Sequence, residues 1–212
     1  MTEPCTYSDD HEVPPRYQTC SFENLKASTN NTRHALETCR KWANDPKDFL
    51  FLTGPCGTGK THLAVATLKS CPAPRKLFST AAGMLLSIRT CIPKEGGEKA
   101  GLQKYLWPNV LLLDDLGSEK QTEWVIQAMY FIMNYRYDFL RPTIITSNYS
   151  ADQLAEIFGD RLISRVATGT VITLTGEDFR VSAARKLASA HRILEGKYEK
   201  QSTGGQKSNA SV

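Results

Sequence analysis

The stretch that most restricts the fold of this chain is GPCGTGKT, residues 54–61. It fits the pattern G-x-x-x-x-G-K-[S/T], directly after the apolar run DFLFLTG and before a segment of helical periodicity. Glycines in such a loop let backbone N–H groups wrap a phosphate chain at a helix N-terminus, while the lysine reaches the outer phosphates and the threonine holds magnesium. The pattern therefore predicts a nucleotide-binding loop. Its predicted contact residues are Gly54, Pro55, Cys56, Gly57, Thr58, Gly59, Lys60, Thr61 and His62.

Short β-branched or leucine-rich runs alternate with longer amphipathic segments, which is typical of a parallel sheet joined by crossover helices. Several runs are apolar throughout, as expected of strands covered on both faces. The predicted strands are 48–54, 76–80, 110–115, 143–148 and 171–176. The predicted helices are 31–45, 60–71, 81–91, 120–139, 151–165 and 181–199.

Two details of this pattern are specific enough to test. In the predicted helix 120–139, a buried stripe is expected to run through Val125, Met129 and Ile132 to Phe139 or Leu140. The stretch 91–104 is rich in glycine and lysine and is predicted to be a surface loop.

Composition narrows the class of protein. With 212 residues, of which 41% are hydrophobic and 23% charged, the chain suits one globular domain rather than a disordered or fibrous protein. No apolar run approaches the roughly 18 residues of a membrane span, and the first residues lack the apolar core of a signal peptide, so we expect a cytoplasmic protein without membrane contact.

The six cysteines show no zinc-ligand spacing and are expected to be reduced thiols. The net charge of +4 permits contact with a polyanion without requiring it.

Two adjacent aspartates, Asp114 and Asp115, end the apolar run VLLL. A carboxylate at the end of a buried strand costs free energy unless something compensates it. In P-loop folds an acid at the tip of a neighbouring strand completes the magnesium site, so Asp114 is predicted to join Thr61 there, mainly through water. Asp115 is then available to polarise the attacking water. The alternative is a strand-end turn with two solvated acids.

Further polar groups follow the last strands. Asn148 ends TIITSN, and its amide can orient a water near the terminal phosphate if that strand lies between the strands of the phosphate loop and of the acids. Arg161, Arg165 and Arg180 surround the last predicted strand, and a guanidinium, even one from a neighbouring subunit, neutralises charge on a transferred phosphoryl group. Taken singly, Asn148 suits a turn and each arginine suits an ordinary surface position.

The ordered set GPCGTGKT, LLLDDLG, TIITSN, GDRLISR and GEDFR resembles that of the AAA+ ATPases of the DnaC/IstB group, which includes bacterial replicative helicase loaders and the ATPase subunits of insertion-sequence transposition. The resemblance covers residues 14–185. It implies an α/β P-loop NTPase fold of the ASCE type, with a five-stranded parallel sheet in the order 5-1-4-3-2. It also implies ATP and Mg²⁺ as ligands, with slow hydrolysis to ADP and phosphate that DNA or a partner regulates.

The resemblance also implies a role for each site residue. Asp114 serves magnesium, Asp115 activates water, and Asn148 is sensor 1. Arg165 is the arginine finger, with Arg161 as a second contact in trans, and Arg180 is sensor 2. Most AAA+ relatives carry Asp-Glu where this group carries Asp-Asp-Leu-Gly, and the shorter arm of Asp115 suits a slow switch. The segment VPPRYQTCSFENL is expected to help enclose the adenine.

The same resemblance divides the chain and suggests partners. Together with the residue pattern and composition, it predicts an N-terminal extension (1–45) with one helix, an ATPase core (46–185), a basic C-terminal helix (186–199) and a disordered tail (200–212). Members of the group form homo-oligomers that hold nucleic acid, and the matching region here is 81–104. A solvated basic loop is the alternative for that region. The predicted DNA contacts are Arg89, Lys94, Lys99 and Lys104.

Three functions remain open at this point. The first is an ATP-dependent replication accessory protein that loads a replicative helicase, and the second is a transposition helper on duplex DNA whose partner is a transposase. The group usually carries an additional N-terminal partner-binding module, whereas about 45 residues precede the first core strand here. The third is a P-loop small-molecule kinase, which the pairing of Asn148 with Arg165 disfavours because that pairing suits an oligomeric ATPase.

Overall fold

The computed structural model describes residues 13–93, 97–176, 178, 179 and 181. The chain divides into two compact units, Met1–Gly176 and Glu177–Val212. The elements below lie in the first unit, and only three residues of the second are described. Several predictions fall outside the described residues: Arg180, Lys94, the basic helix 186–199 and the tail 200–212.

Five short strands alternate with helices in the order that the hydrophobic pattern predicts. The strands are β1 (Phe49–Thr53), β2 (Lys76–Thr80), β3 (Val110–Asp114), β4 (Thr143–Ser147) and β5 (Thr170–Thr173). The helices are α1 (Asn30–Asn44), α2 (Lys60–Ser70), α3 (Ala81–Cys91), α4 (Gly97–Leu106), α5 (Glu123–Asp138), α6 (Ala151–Phe158) and α7 (Asp160–Ala167). None of the described helices has the length and apolar character needed to cross a membrane.

The strands form one parallel sheet in the order β2-β3-β4-β1-β5. This is the predicted order 5-1-4-3-2 viewed from the other edge, so the predicted fold class is confirmed. The last residues of neighbouring strands align, because Thr53 pairs with Ser147 and Thr80 with Asp114. The polar residues that follow β1, β3 and β4 therefore meet at the carboxyl edge of the sheet, where open α/β sheets bind ligands.

Helices cover both faces of the sheet, which explains why its central strands are apolar throughout. Phe49 and Phe51 of β1 belong to the core beneath α3 to α7, whereas Leu50 and Leu52 belong to the core beneath α1 and α2. All five residues of β1, β3 and β4 are buried. Alternate side chains of a strand point to opposite faces, so a two-sided core requires apolar residues at successive positions.

The prediction of a surface loop over 91–104 is wrong from residue 97 onward, because α4 begins at Gly97 and packs on α3. A β-carbon at Gly101 would lie 2.9 Å from the Ile88 Cα, so this glycine allows the two helices to approach closely. Tyr105 and Leu106 bury the end of the helix. Glycine inside a helix is destabilising on its own, and here tertiary packing outweighs that preference.

Two other helix predictions need correction. The predicted helix 151–165 is two helices, α6 and α7, separated at Gly159, whose φ is 89°. The predicted stripe of α5 is buried at Val125, Met129 and Ile132, but the burial does not reach Phe139 or Leu140, because the helix ends at Asp138. Phe139 and Leu140 are 60% and 75% exposed.

Leu140 should be replaceable by glycine with a gain in stability. Its φ is 48°, in the left-handed region that costs a residue with a β-carbon about 1 kcal/mol. Because the side chain is mostly exposed, Leu140→Gly is expected to raise the free energy of unfolding by about 0.5–1 kcal/mol, measured by urea denaturation. The control is Phe139→Gly: its φ is −98°, so the same change should not stabilise the protein. A Leu140→Gly protein less stable than the wild type would contradict the strain argument.

Candidate functional site

The phosphate loop connects β1 to α2 and depends on three glycines with positive φ, at Gly54, Gly57 and Gly59. At Gly54 a β-carbon would lie 2.0 Å from the Leu174 carbonyl oxygen, so no other residue fits. Inside the loop, the Thr58 hydroxyl donates to the Pro55 carbonyl at 2.9 Å. No side chain caps the N-terminus of α2 at Gly59, so its first N–H groups and helix dipole are available to an anion.

Lys60 is folded over this loop. Its ammonium donates to the carbonyl oxygens of Gly54 and Pro55, at 2.7 Å each, and the residue is only 7% exposed. A cation held by two loop carbonyls lies next to the space that the loop surrounds. It can exchange these neutral acceptors for phosphate oxygens, which bind a cation more strongly.

The first aspartate lies at the junction of three elements. Asp114 Oδ1 accepts a hydrogen bond from the Thr61 hydroxyl at 2.9 Å and another from the Thr146 hydroxyl at 2.6 Å. Burial raises the pKa of Asp114, and the two hydroxyl donors act in the opposite direction. A divalent cation at this carboxylate would favour its charged form.

Thr61 and Asp114 supply the hard oxygen ligands that magnesium prefers, so the residues present fit this ion. Within the described ranges, no group of three or more His, Cys, Asp or Glu side chains could hold a metal. Magnesium usually keeps several waters and binds through one or two protein groups together with phosphates.

The second aspartate projects from the turn that follows β3. Asp115 Oδ1 accepts a hydrogen bond from the Asn148 amide at 3.0 Å, across from the end of β4. Its φ of 61° is unusual for a residue other than glycine, although aspartate and asparagine tolerate this region better than most. The adjacent backbone is fixed by Leu116 N–H, which donates to the Thr146 carbonyl at 2.8 Å. The turn thus orients one carboxylate beside one amide at the sheet edge.

Sequence reasoning missed two residues that hold this turn in place, Thr146 of β4 and Glu119. The Thr146 hydroxyl accepts from the Asp115 N–H at 2.9 Å while donating to Asp114, so it links both acids. Threonine is a normal strand residue, and nothing in TIITSN marks Thr146 as different. Both carboxylate oxygens of Glu119 accept from the Gly117 N–H, at 3.3 and 3.2 Å. The sequence signal for Glu119 was its place two residues after Gly117 in a polar stretch, where a carboxylate can accept from the N–H of the glycine.

The segment ahead of α1 packs on α2, the helix that follows the phosphate loop. His62 Nε2 lies 2.9 Å from the Ser21 carbonyl oxygen, and the Lys69 ammonium donates to the Gln18 carbonyl at 2.7 Å. Phe22 is buried in the same core as α2. The predicted enclosure of the adenine by this segment stays a prediction. The ring of His62 contacts Ser21 in this structure, and the predicted contact of His62 with the nucleotide stays a prediction.

The candidate arginine finger lies on α7, apart from these groups. The Arg165 guanidinium donates to the Arg161 carbonyl at 3.1 Å and lies 5.8 Å and 5.6 Å from the ring centroids of Tyr130 and Tyr137 on α5. Arg161 is exposed. Among the described contacts, none joins Arg165 to the phosphate loop or to the acids of its own chain. The proposed roles of Asp115, Asn148 and both arginines remain predictions.

Of the predicted DNA contacts that the structure describes, Arg89 lies on α3, and Lys99 and Lys104 lie on α4. Arg89 stacks on the Trp124 ring at 4.6 Å, and the Trp124 indole donates to Glu98 at 2.7 Å. Lys104 lies over the Tyr105 ring and Lys99 lines a groove between α4 and α5. Arg89 and Lys104 therefore already have partners within the protein, and DNA contact stays a prediction.

The cysteines differ sharply in accessibility. Cys20, Cys39 and Cys71 are buried, and burial raises the pKa of Cys39 to about 12 and that of Cys71 to about 11. Cys56 is exposed within the phosphate loop, and Cys91 is half-buried. Thiolates are the reactive form, so alkylation should discriminate between these two groups.

Mg-ATP should protect Cys56 from alkylation. Because the loop wraps a phosphate chain, saturating nucleotide is expected to slow iodoacetamide modification of Cys56 by about tenfold or more, in line with the occupancy of the loop. Peptide mass spectrometry measures each site separately, and Cys91 is the internal control because it lies on α3. Equal Cys56 labelling with and without ATP would contradict nucleotide binding at this loop.

Together, a phosphate loop after a central strand, acids at the end of β3, an asparagine after β4 and the 5-1-4-3-2 sheet define an AAA+ P-loop NTPase. The family model for IstB-like ATP binding proteins matches residues 16–184, and the chain belongs to this family. The resemblance seen in the sequence is thereby confirmed.

Curated relatives of two kinds match the chain. The replicative helicase loader DnaC of Escherichia coli (strain K12) is 25% identical over 164 residues, which cover 74% of this chain and 66% of the relative. The insertion sequence IS21 putative ATP-binding protein of Pseudomonas aeruginosa is 27% identical over 144 residues, covering 65% of this chain and 54% of the relative. The matched region thus spans about half to two thirds of the length of these relatives.

Solved structures match the fold closely. A crystal structure of the DnaC helicase loader has a TM-score of 0.70 and 29% identity, covering 76% of this chain and 99% of that chain. Domain III of the Thermotoga maritima replication initiation protein DnaA has a TM-score of 0.68 and 27% identity, covering 85% of this chain and 77% of that chain.

Proposed function

We propose that this chain, an ATP-binding AAA+ protein by family, hydrolyses ATP slowly, assembles with copies of itself, associates with DNA and loads a replicative helicase. The observation that supports this most directly is the hydrogen-bonded set at the carboxyl edge of β3 and β4. There Thr61 contacts Asp114, and Asn148 contacts Asp115. This set supports a proposed magnesium position at Asp114 and a proposed water position at Asp115, which follow the same strand and face the end of its neighbour.

In the proposed reaction, the loop N–H groups and Lys60 bind the phosphates of ATP. Thr61 and Asp114 would hold Mg²⁺, which supplies charge neutralisation and orientation of the phosphates when bound. A water that hydrogen-bonds to Asp115 and Asn148 attacks the γ-phosphorus, and the bond from this phosphorus to the bridging oxygen of ADP breaks. Asp115 accepts the water proton as general base. Asn148 keeps the Asp115 carboxylate oriented through their 3.0 Å hydrogen bond.

Arg165 has no role in this scheme within its own chain, and we propose that it serves the site of a second copy. It lies on α7 with its cation against two tyrosine rings of α5, and no described carboxylate lies within 4 Å to neutralise it. Such a guanidinium can stabilise charge on a phosphoryl group that another subunit binds. Assembly and hydrolysis would then depend on each other.

A mixing experiment tests this arrangement. Arg165→Ala is expected to bind ATP normally and to lose about a thousandfold in turnover, within the range measured for arginine fingers. Mixing it with Lys60→Ala protein, which has an intact Arg165 but a defective phosphate loop, should restore part of the activity. The control is Arg33→Ala, which removes an exposed arginine of α1 and should leave turnover unchanged. Full activity of Arg165→Ala alone would remove the trans role.

A transposition helper is the second candidate, because the matching family model is IstB-like and the IS21 protein is among the relatives. Two assays separate the candidates. A helicase loader should form an ATP-dependent complex with the replicative helicase of the same genome and place it on single-stranded DNA. A transposition helper should instead coat duplex DNA in the presence of ATP and recruit a transposase.

Phosphate release without any added small-molecule acceptor would argue against the kinase alternative. Absence of both ATP-dependent assembly and DNA-stimulated hydrolysis would contradict the helicase-loading proposal and the transposition proposal together.

A further inference from the structure

The Arg165 side chain is held by aromatic rings rather than by acids. Its guanidinium carbon lies 5.8 Å from the Tyr130 ring centroid and 5.6 Å from the Tyr137 ring centroid. Both distances are within the range in which ring faces attract cations. The two tyrosines are seven residues apart on α5, so they lie on the same face of that helix, next to α7.

We propose that Tyr130 and Tyr137 are positioning residues that hold the Arg165 guanidinium toward a phosphate bound by a second copy of this chain. This inference rests on the proposed trans role of Arg165. An arginine on a surface helix has many rotamers, and fixing one of them before assembly removes an entropic cost from the step in which it meets the phosphate.

The chemistry of the contact suits this task. A carboxylate partner would hold the arginine equally well but would neutralise the charge that the phosphate needs. Ring faces attract the cation through their quadrupole while leaving its full charge and most of its N–H donors available. Only one N–H of Arg165 is engaged, by the Arg161 carbonyl at 3.1 Å, among the hydrogen bonds of the described residues.

Arg136 of α5, the helix that carries both tyrosines, is an arginine held in a different way. It is fully buried, and its donors contact the Thr143 hydroxyl together with several carbonyl oxygens that end α4 and precede β4. Every direction around that guanidinium is occupied by protein, as expected of a structural arginine. Arg165, by comparison, is partly exposed, and its one hydrogen bond among the described residues is the one to the Arg161 carbonyl. Arg136 therefore has a structural role, whereas Arg165 keeps donors with which it can bind a further group.

The test compares ring removal with ring retention. Replacing both tyrosines by leucine keeps an apolar side chain of good helix propensity but removes the rings, and should lower kcat by about fivefold to tenfold with KM for ATP unchanged. Replacing both by phenylalanine keeps the rings and should leave kcat within about twofold of the wild type. An excess of Lys60→Ala protein should restore the turnover of the leucine variant. The Lys60→Ala protein retains Tyr130, Tyr137 and Arg165, so its arginine can act on ATP bound by the phosphate loop of the leucine variant.

A graded measurement covers the case in which the leucine variant does not fold. Fluorinated phenylalanines at position 137 preserve ring shape while weakening the attraction of the ring face for a cation. We expect kcat to fall progressively with fluorination, with no change in KM. The proposal would be overturned if Arg165→Ala is inactive but every fluorinated protein keeps the kcat of the wild type. Full activity of Arg165→Ala would instead remove the trans role on which it rests.

Discussion

Lys60→Ala is expected to abolish ATP hydrolysis and to weaken ATP binding by about a hundredfold, since each charge-assisted hydrogen bond that its ammonium makes to phosphate contributes about 1.5–3 kcal/mol. The ammonium is positioned for this exchange because it already donates to the Gly54 and Pro55 carbonyls at 2.7 Å each. Fluorescent-nucleotide titration measures the binding, and phosphate release measures the turnover.

Lys60→Ala needs a control, because Lys60 is nearly buried and its removal alters the packing of the loop. Lys41→Ala is suitable, since it removes an exposed lysine of α1 and should leave both binding and turnover unchanged. The thermal midpoint of Lys60→Ala in the absence of nucleotide shows whether the loop still folds. Near-normal nucleotide affinity in a folded Lys60→Ala protein would contradict the assignment of this loop.

The sheet and the phosphate loop were predictable because their signals are local and agree with one another. Buried strands must be apolar when helices cover both faces, and the loop pattern must follow one of them for its N–H groups to face a phosphate. The strand order itself was implied by family resemblance, and it brings Asn148 beside Asp115. Without that order, the residue types alone left Asn148 equally compatible with an ordinary turn.

Other features could not be predicted because they depend on contacts between distant segments. Gly101 indicated a loop by its type, yet it lies inside a helix whose close approach to Ile88 requires it. Thr146 resembles any strand threonine until the register places its hydroxyl between two aspartates. Arg136 continues the buried stripe of α5, but arginine is a residue type that is mostly exposed, and nothing local indicates that backbone carbonyls surround it. No local periodicity encodes which partner such a side chain will meet.

Asp115→Asn is expected to bind ATP normally while its turnover falls by about a hundredfold to a thousandfold, the usual effect of losing a general base. Asparagine keeps the shape of the side chain and an oxygen that can still accept from the Asn148 amide at the same position. It also tolerates the left-handed backbone, so the φ of 61° should not unfold the turn. Normal turnover in this variant would remove Asp115 as the water-activating residue.

The positive φ of residue 115 gives a reason for aspartate rather than glutamate at this position, in addition to the slow hydrolysis attributed to the shorter side chain. A longer arm reaches the water more directly, so Asp115→Glu is expected to hydrolyse ATP faster if the short arm makes the wild type slow. Glutamate lacks the short side chain that eases a φ of 61°, so this variant should also be less stable, by about 1 kcal/mol. Turnover and urea denaturation of one protein separate the two effects. A variant that is less stable and no faster would show that the turn, not the speed of hydrolysis, selects aspartate.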